Sequence, residues 1–531
     1  MKFRGILEAT FNRQPPHSAY AELEEVIRYL NEEYLKRGAK SAEDAATIVN
    51  WRIEDSKLIM YLETGRSVRI DEAALRIRNV ISQRLGSKYR LGIRQLRLIN
   101  SVIEIDGEVR VSLKLPMIKS IDYVNGKTII TLNDLNESDI KKPLFLRLLR
   151  LIQEKEARLR WGGKAEHWIL LKQSRIKFEK PLFTEDPNKV LEEIGWIKRM
   201  SIGQWLYTPP FTYLLNMIRN LFIEEVLKPL GFVEVTFPKM YPLDVGLKTG
   251  HLKGVINSML FVSLPKSYNI AEFEELIDYM YVTNEAPGEE VQRYLRPPTY
   301  FLCFAQCEPF YWFFENEVLD DSVLPIKWYD MSGPSYRWEA GGLHGIERVI
   351  EFHRIEVVWL GKPEQVIDIR NQLLERYERF MDNVLDLEWR WVWVTPWFYE
   401  QSGVSETVEL DINRPGTIDF EAWLPYKGPR ENRKAWLEIG NISIHGTKFT
   451  APFRIKHSKG DTLWTGCSGF GSERWLIAFL AQHGFDPNNW PPKLVEYIEK
   501  NPIPEALNTV TYPKTKSGKE LLESIMKLYR R

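Results

Sequence analysis

The 531-residue sequence predicts an α+β protein, with antiparallel sheets flanked by helices and two domains joined by a linker. Three observations carry this expectation. The chain is longer than one hydrophobic core usually serves. Residues 1–135 alternate like short strands between helical stretches, and residues 325–480 hold most of the remaining strand-like sequence. A basic helical segment stops at Gly162-Gly163, a natural place for the chain to change domain. The expected division is a first domain over 1–165, a linker over 166–200 and a second domain over 201–531.

KLIMYLETG, VSLKLPMIKSIDYV and KTIITLND alternate with period two, whereas AYAELEEVIRYLNEEYLKRG has the apolar spacing of a helix. This predicts an antiparallel sheet flanked by helices. YTPPFTYLLNMIRNLFIEEVLKPLGF opens on prolines, as helices often do, and runs into FVEVTFPKMYP, a strand broken by Pro238. Strands dominate 325–480, with a helix near 362–385 and dense tryptophan from 389 to 397. Only 57 residues follow Arg474, too few for another sizeable domain.

Composition narrows the classes. With 44% hydrophobic residues the chain can bury ample core, yet no apolar run approaches a membrane span and the N-terminus does not read as a signal peptide. Three cysteines, an odd and small number, suggest a reducing cytoplasm. Net charge is zero, but residues 1–170 hold 30 Lys+Arg against 23 Asp+Glu, leaving +7 there and −7 on the rest. From Arg66 to Arg97, nine basic residues meet only Asp71 and Glu72. Such a module fits either a polyanionic partner or a solvated helix face.

The stretch RWEAGGLHGIERVIEFHRIE, Arg337 to Glu356, reads as two strands joined at Gly341-Gly342. Arg337 and Glu339 share one side of the first, and Arg348, Phe352, Arg354 and Glu356 one side of the second. That face could be a salt-bridged surface, or a site for a planar anionic ligand. Arginine forks fit phosphate and phenylalanine can stack a base.

Three features occur in order: the helix and proline-broken strand, this hairpin, and TGCSGFGSERW with Arg474 just inside a helix. Together they resemble the three motifs of class II aminoacyl-tRNA synthetases. The resemblance implies ATP-dependent amino-acid activation, in which a carboxylate displaces pyrophosphate at the α-phosphorus. It implies Arg337 on the α-phosphate and incoming carboxylate, Glu339 within the adenylate pocket, and Arg348 towards the γ-phosphate. Phe352 and Arg474 would sandwich adenine, and Glu438 of LEIGNIS would hold Mg²⁺. It also implies a homodimer. Ser472 stands where the third motif is usually apolar and Ala340 where serine is commoner; neither removes a charged group.

Cys307, Glu356 and Cys467 offer two thiolates and a carboxylate near that pocket, a donor set suited to Zn²⁺ with a position left for substrate. Buried free cysteines are the plainer alternative, and Cys303 is read as core. The arrangement resembles the methanogen-type seryl-tRNA synthetases, from about 200 to 490. This implies a zinc that binds the serine amino group, with Trp397, Gln401, Asn441 and Ser443 lining the serine pocket and Gln401 reading the hydroxyl. L-serine, ATP and tRNA-Ser are the implied partners, with tRNA-Sec left open as a second tRNA and no membrane involved. Two other readings stay open: an amino acid:carrier-protein ligase using the same chemistry, which would lack the first 165 residues, and a non-catalytic RNA-binding paralogue, which would have no need of Arg337, Arg348 and Arg474.

Overall fold

The computed structural model describes residues 1–39, 41–109, 113–160, 168–338, 342–394, 413–502 and 512–529. The chain divides into two compact units, Met1–Ala165 and Glu166–Arg531. The 166–200 segment, expected as a linker, is folded into the second unit. Its Trp168–Gln173 is a sheet strand and its Pro187–Glu193 a helix. The LeuLeu and ValLeu pairs there are too short to announce a period, but the strand holding Leu170 and Leu171 pairs with residues some 200 positions away, and Val190 and Leu191 join the core.

The first unit is an antiparallel sheet with helices. Its strands are β1 (Lys2–Phe11), β2 (Ala46–Glu54), β3 (Lys57–Thr64), β4 (Ile93–Asp106), β5 (Ile118–Val124), β6 (Lys127–Leu132) and β7 (Leu135–Asn136). They lie in the order β2-β3-β1-β4-β6-β5, with β7 beside β4. Helices α1 (Ser18–Glu32), α2 (Ile70–Tyr89) and α3 (Leu144–Arg160) accompany the sheet. On β1 the buried residues are Phe3, Leu7, Ala9 and Phe11, one side of a period-two strand. These pack with Leu23, Val26 and Leu30 of α1 and Ile70, Ile77 and Ile81 of α2. The basic run is partly compensated: Arg76 pairs with Glu72, Arg78 with Glu137, Lys88 with Glu22 and Arg97 with Asp134. Arg66, Arg84, Arg90 and Arg94 are exposed.

The second unit is built on a nine-stranded sheet. Its strands are β8 (Trp168–Gln173), β9 (Val233–Val235), β10 (Ile326–Asp330), β11 (Pro334–Tyr336), β12 (Glu351–Gly361), β13 (Trp389–Val394), β14 (Gly416–Trp423), β15 (Trp436–Gly446) and β16 (Trp464–Gly471). The order is β9-β10-β12-β16-β15-β14-β13-β8, with β11 pairing β12. Only β9–β10 is parallel among these pairings. Helix α4 (Pro209–Phe222) begins with Pro209 and Pro210, where missing N–H groups cost nothing. It packs with α5 (Pro363–Arg379) and α6 (Ser472–His483) on one side of the sheet, burying Phe211, Phe222, Tyr377, Trp475 and Phe479. Trp389 and Trp391 of the tryptophan-dense stretch join the same core, while Trp397 lies outside the described residues. A smaller core around Phe301, Phe310, Tyr311, Phe449 and Phe453 fills the space beyond β12. Among the described residues, no helix is long and apolar enough to cross a membrane.

Candidate active site

The other side of the sheet carries the site, and strand register explains why. Arg354 and Glu356 of β12 lie opposite Gly471 and Gly469 of β16, and Val358 lies opposite Cys467. Asn441 and Ser443 of β15 lie opposite Gly469 and Cys467 from the other flank. Directly opposed residues share a face, so Arg354, Glu356, Cys467, Asn441 and Ser443 converge on the centre of the sheet. Gly469 makes room, since a Cβ there would stand 3.1 Å from the Arg354 side chain. Gly440, opposite the core residue Phe470, lets the two strands approach, since a Cβ there would stand only 2.6 Å from the carbonyl oxygen of Gly469.

Glu438 reaches this face through an irregularity. Leu437 and Ile439 are core residues, but so are Ile442 and Ile444, so the phase of β15 changes between them. The pairing shows the cause: Glu438 and Gly440 lie opposite consecutive residues, Glu421 and Phe420 of β14, leaving Ile439 as an extra residue. Such a bulge re-aims the side chains on either side of it. Glu438 and Asn441, three apart, therefore line the same cleft.

That cleft, open to solvent, is lined by Arg337, Glu347, Phe352, Arg354, Glu438, Asn441, Glu473 and Arg474, among others. Arg337 stands with its guanidinium 4.7 Å from the centre of the Phe304 ring. Arg354 lies 5.8 Å from that of Phe352. Arg474, at the start of α6, donates Nε–H to the Glu347 carbonyl at 2.9 Å and Nη1–H to the Glu438 carbonyl at 3.1 Å. Its Nη1 is also 3.4 Å from Glu438 Oε2. Glu473 is buried and accepts the backbone N–H of His353 at 2.9 Å while meeting His353 Nδ1 at 2.7 Å, fixing where β12 begins. The hydrogen bond to Glu473 raises the His353 pKa against its burial.

The expected hairpin is more irregular than its alternation suggested. Its paired strands are 334–336 and 351–361, so the connection is fourteen residues long, not a Gly-Gly turn. Arg348 is not on the strand. It lies exposed in a tight turn, bridged to His344 through both backbone bonds. Period two failed there because Gly345 takes φ +51° and reverses the chain locally. Phe352, Arg354 and Glu356 do belong to β12. Glu339 and Ala340, and likewise Trp397 and Gln401, lie outside the described residues.

Cys307, Glu356 and Cys467 come together: their ligand atoms all lie within 4.8 Å of one another. Cys307 precedes the short helix Glu308–Phe313 and is 5% exposed, and Glu356 is 2% exposed. Burial raises the Glu356 pKa against the pull of Arg354. Hydrogen bonding to Cys307, then burial, pushes the Cys467 thiol far up. Arg354 Nε is 3.0 Å from Glu356 Oε2, yet neither atom finds a well-aligned hydrogen bond. The trio therefore fits a divalent cation, which would take the protons' place and satisfy the buried carboxylate oxygen. His445, unforeseen from the sequence, stands behind it with Nε2 3.4 Å from Cys467 Sγ, and burial lowers its pKa to about 3. Ser443 Oγ pairs with Thr417 Oγ1 at 2.8 Å. Cys303 is core, as expected, accepting from Tyr241 OH at 3.0 Å.

A second trio, Asp321, His457 and Asp461, is equally close. There Lys362 Nζ already joins the two carboxylates at 2.7 and 2.9 Å, and Lys459 reaches Asp321 at 2.6 Å. Ammonium groups fill the place of a cation, so this is an ion-pair network.

Residues 1–154 match a family model described as a tRNA-binding domain, and residues 295–483 one described as the class II tRNA synthetase core domain (G, H, P, S and T). The type-2 serine–tRNA ligase of Methanococcoides burtonii is 40% identical over 89% of this chain and 93% of its own length. The chain belongs to the type-2 serine–tRNA ligase family. The relative from Methanopyrus kandleri is 34% identical over 97% of the chain and 99% of its own length. A crystal structure of M. kandleri SerRS in complex with A. aeolicus tRNASec matches with a TM-score of 0.80 at 32% identity, covering 98% of this chain and 99% of that one. Class II membership thus agrees with the three motifs, and the first unit with the expected tRNA-binding domain.

Proposed function

We propose that this chain is a zinc-dependent serine–tRNA ligase, in which the Cys307–Glu356–Cys467 site holds Zn²⁺ for the serine amino group. The observation that carries this reading is position. Glu356 and Cys467 share a sheet face with Phe352 and Arg354 of the cleft, and Cys307 meets them there from the start of a short helix. Two soft thiolates with one carboxylate suit zinc, and three protein ligands leave room for a substrate atom.

In this reading zinc, when bound, supplies a Lewis-acid anchor for the substrate amine. The residues of the chain do the rest by placement and charge. Arg337 meets the α-phosphate and the serine carboxylate. One carboxylate oxygen attacks the α-phosphorus, the bond to the β-phosphate oxygen breaks, and pyrophosphate leaves. Phe352 and Arg474 sandwich the adenine, Arg348 takes the γ-phosphate, and Glu438 would hold Mg²⁺, which would supply neutralising charge for the phosphates. Glu339 hydrogen-bonds within the adenylate pocket. Asn441, Ser443, Trp397 and Gln401 shape the serine pocket, Gln401 reading the hydroxyl. A terminal ribose hydroxyl of tRNA-Ser, or of tRNA-Sec, then attacks the seryl carbonyl and AMP departs. The first unit grips tRNA through backbone and shape, so affinity falls as salt rises. Two subunits pair through α4 and the edge strand β9, and free thiols suit the cytoplasm.

The carrier-protein ligase reading is disfavoured by the tRNA-binding match over residues 1–154. The test is serine-dependent ATP–pyrophosphate exchange with the metal content measured alongside. Cys307→Ala and Cys467→Ala are expected to lose both zinc and exchange. A metal-free variant that still exchanges with serine would refute the zinc role.

A further inference from the structure

Glu347, which no motif in the sequence marks, is a carboxylate beside the cleft gripped by four side chains. Its side chain is fully buried. Oε1 meets His344 Nδ1 at 2.8 Å and accepts from Lys427 Nζ at 3.2 Å and Tyr426 OH at 3.3 Å. Oε2 accepts from Asn188 Nδ2 at 3.0 Å, and Asn188 Oδ1 takes the N–H of Ile346 at 3.0 Å. Three separate stretches of chain, around 188, 344–348 and 426–427, are thus tied to one carboxylate. A buried carboxylate is costly unless it is paired and hydrogen-bonded. Holding a turn alone would not require one, because a neutral amide or a packed apolar side chain does that more cheaply.

The turn it holds borders the cleft and reaches the Arg474 guanidinium directly. The Glu347 carbonyl accepts Arg474 Nε–H at 2.9 Å, and the Glu438 carbonyl accepts Nη1–H at 3.1 Å. Two acceptors along the edge of a guanidinium set its plane, and a plane that must stack on a base has to be set before the base arrives. The turn cannot relax to compensate. Gly345 has φ +51°, and a Cβ there would lie 2.3 Å from Glu347 Oε2 and 2.5 Å from Asn188 Nδ2. Trp205 Nε1–H holds the Gly345 carbonyl at 2.9 Å from the other side.

We propose that Glu347 is a positioning residue for ATP, its buried carboxylate fixing the turn whose carbonyl sets the plane of the Arg474 guanidinium. This rests on the reading of Arg474 as an adenine-stacking residue. Asn188, Tyr426 and Lys427 belong to the same device. They bring the 186–188 segment, outside all three synthetase motifs, into ATP binding.

The test is equilibrium ATP binding to the full-length, zinc-loaded chain by titration calorimetry, with serine affinity measured in parallel. Glu347→Gln removes the charge but keeps the volume and is expected to weaken ATP about 10-fold or more, with serine binding and zinc content unchanged. Lys427→Met, on a side chain 30% exposed, is expected to shift ATP affinity less and in the same direction without unfolding the chain. With AMP as the ligand, so that Arg348 of the same turn has no γ-phosphate to meet, the Glu347→Gln effect is expected to shrink to within about twofold in an Arg474→Ala background, because both then act through one group. A full, additive effect there would overturn the inference. So would ATP affinity kept in Glu347→Gln but lost in Arg474→Ala. ATP affinity unchanged in Arg474→Ala would instead remove the adenine role of Arg474, and with it the premise.

Discussion

Gly440→Ala tests the geometry of the site through one methyl group. The added Cβ would stand 2.6 Å from the carbonyl oxygen of Gly469 on the neighbouring strand, a backbone atom that cannot rotate away. Ordinary contact begins near 3.4 Å, so β15 and β16 must separate by about 0.8 Å or tilt. Overpacking of this kind costs about 1–3 kcal/mol. The functional cost is expected to be larger than the loss of stability implies, because Gly440 sits between Glu438 and Asn441 at the bulge. A displacement near 1 Å of positioning groups lowers rates about 100-fold. The assays are urea unfolding and ATP–pyrophosphate exchange, with Gly288→Ala as control, since a Cβ there meets nothing within 4 Å. Gly440→Ala with stability and exchange both as in the parent would refute the reasoning that this bulge sets the cleft.

Arg474→Ala is expected to cripple ATP use with any amino acid, whereas Gln401→Ala should mainly weaken or relax serine selection; kinetics against both substrates separate them. Removing residues 1–165 should abolish tRNA charging and spare adenylate formation, and charging by the shortened chain would contradict the role of the first unit. Burial alone would raise the Glu347 carboxyl, but His344 and Lys427 bring it down to about 2 from 4.5. A depressed acid stabilises the fold above its unfolded pKa and loses that contribution as pH falls through the folded one. Unfolding free energy should therefore fall more steeply between pH 4.5 and about 2 in the parent than in Glu347→Gln, and parallel curves would count against it.

Much of the site was legible in the sequence because its chemistry lies in compact patterns. The Arg-x-Glu hairpin, the Gly-rich third motif and the two cysteines are local. Even distant Cys307 and Cys467 could be linked through Glu356, which shares a strand face with Phe352 and Arg354. Features that depend on register were not legible. The bulge at Ile439 is invisible in LEIGNIS, where simple alternation puts Glu438 and Asn441 on opposite faces. Arg348 was misplaced because the positive φ of Gly345 is a choice that glycine permits rather than signals. The 166–200 segment looked like a linker because its short apolar pairs gain meaning only beside β13 and the Glu347 turn. His445 is silent in sequence because a single histidine on a strand is ordinarily core. A signal did exist for Glu347: it stands two residues after a glycine, in a stretch already rich in charge.

On the proposed function, this cleft joins serine to tRNA. The most direct measurement is attachment of labelled serine to total archaeal tRNA by the purified, zinc-loaded chain. Serine transferred to tRNA, without transfer of threonine or alanine, is the predicted result. No charging by a protein that binds zinc and ATP would contradict it and move the reaction to another acceptor or another amino acid.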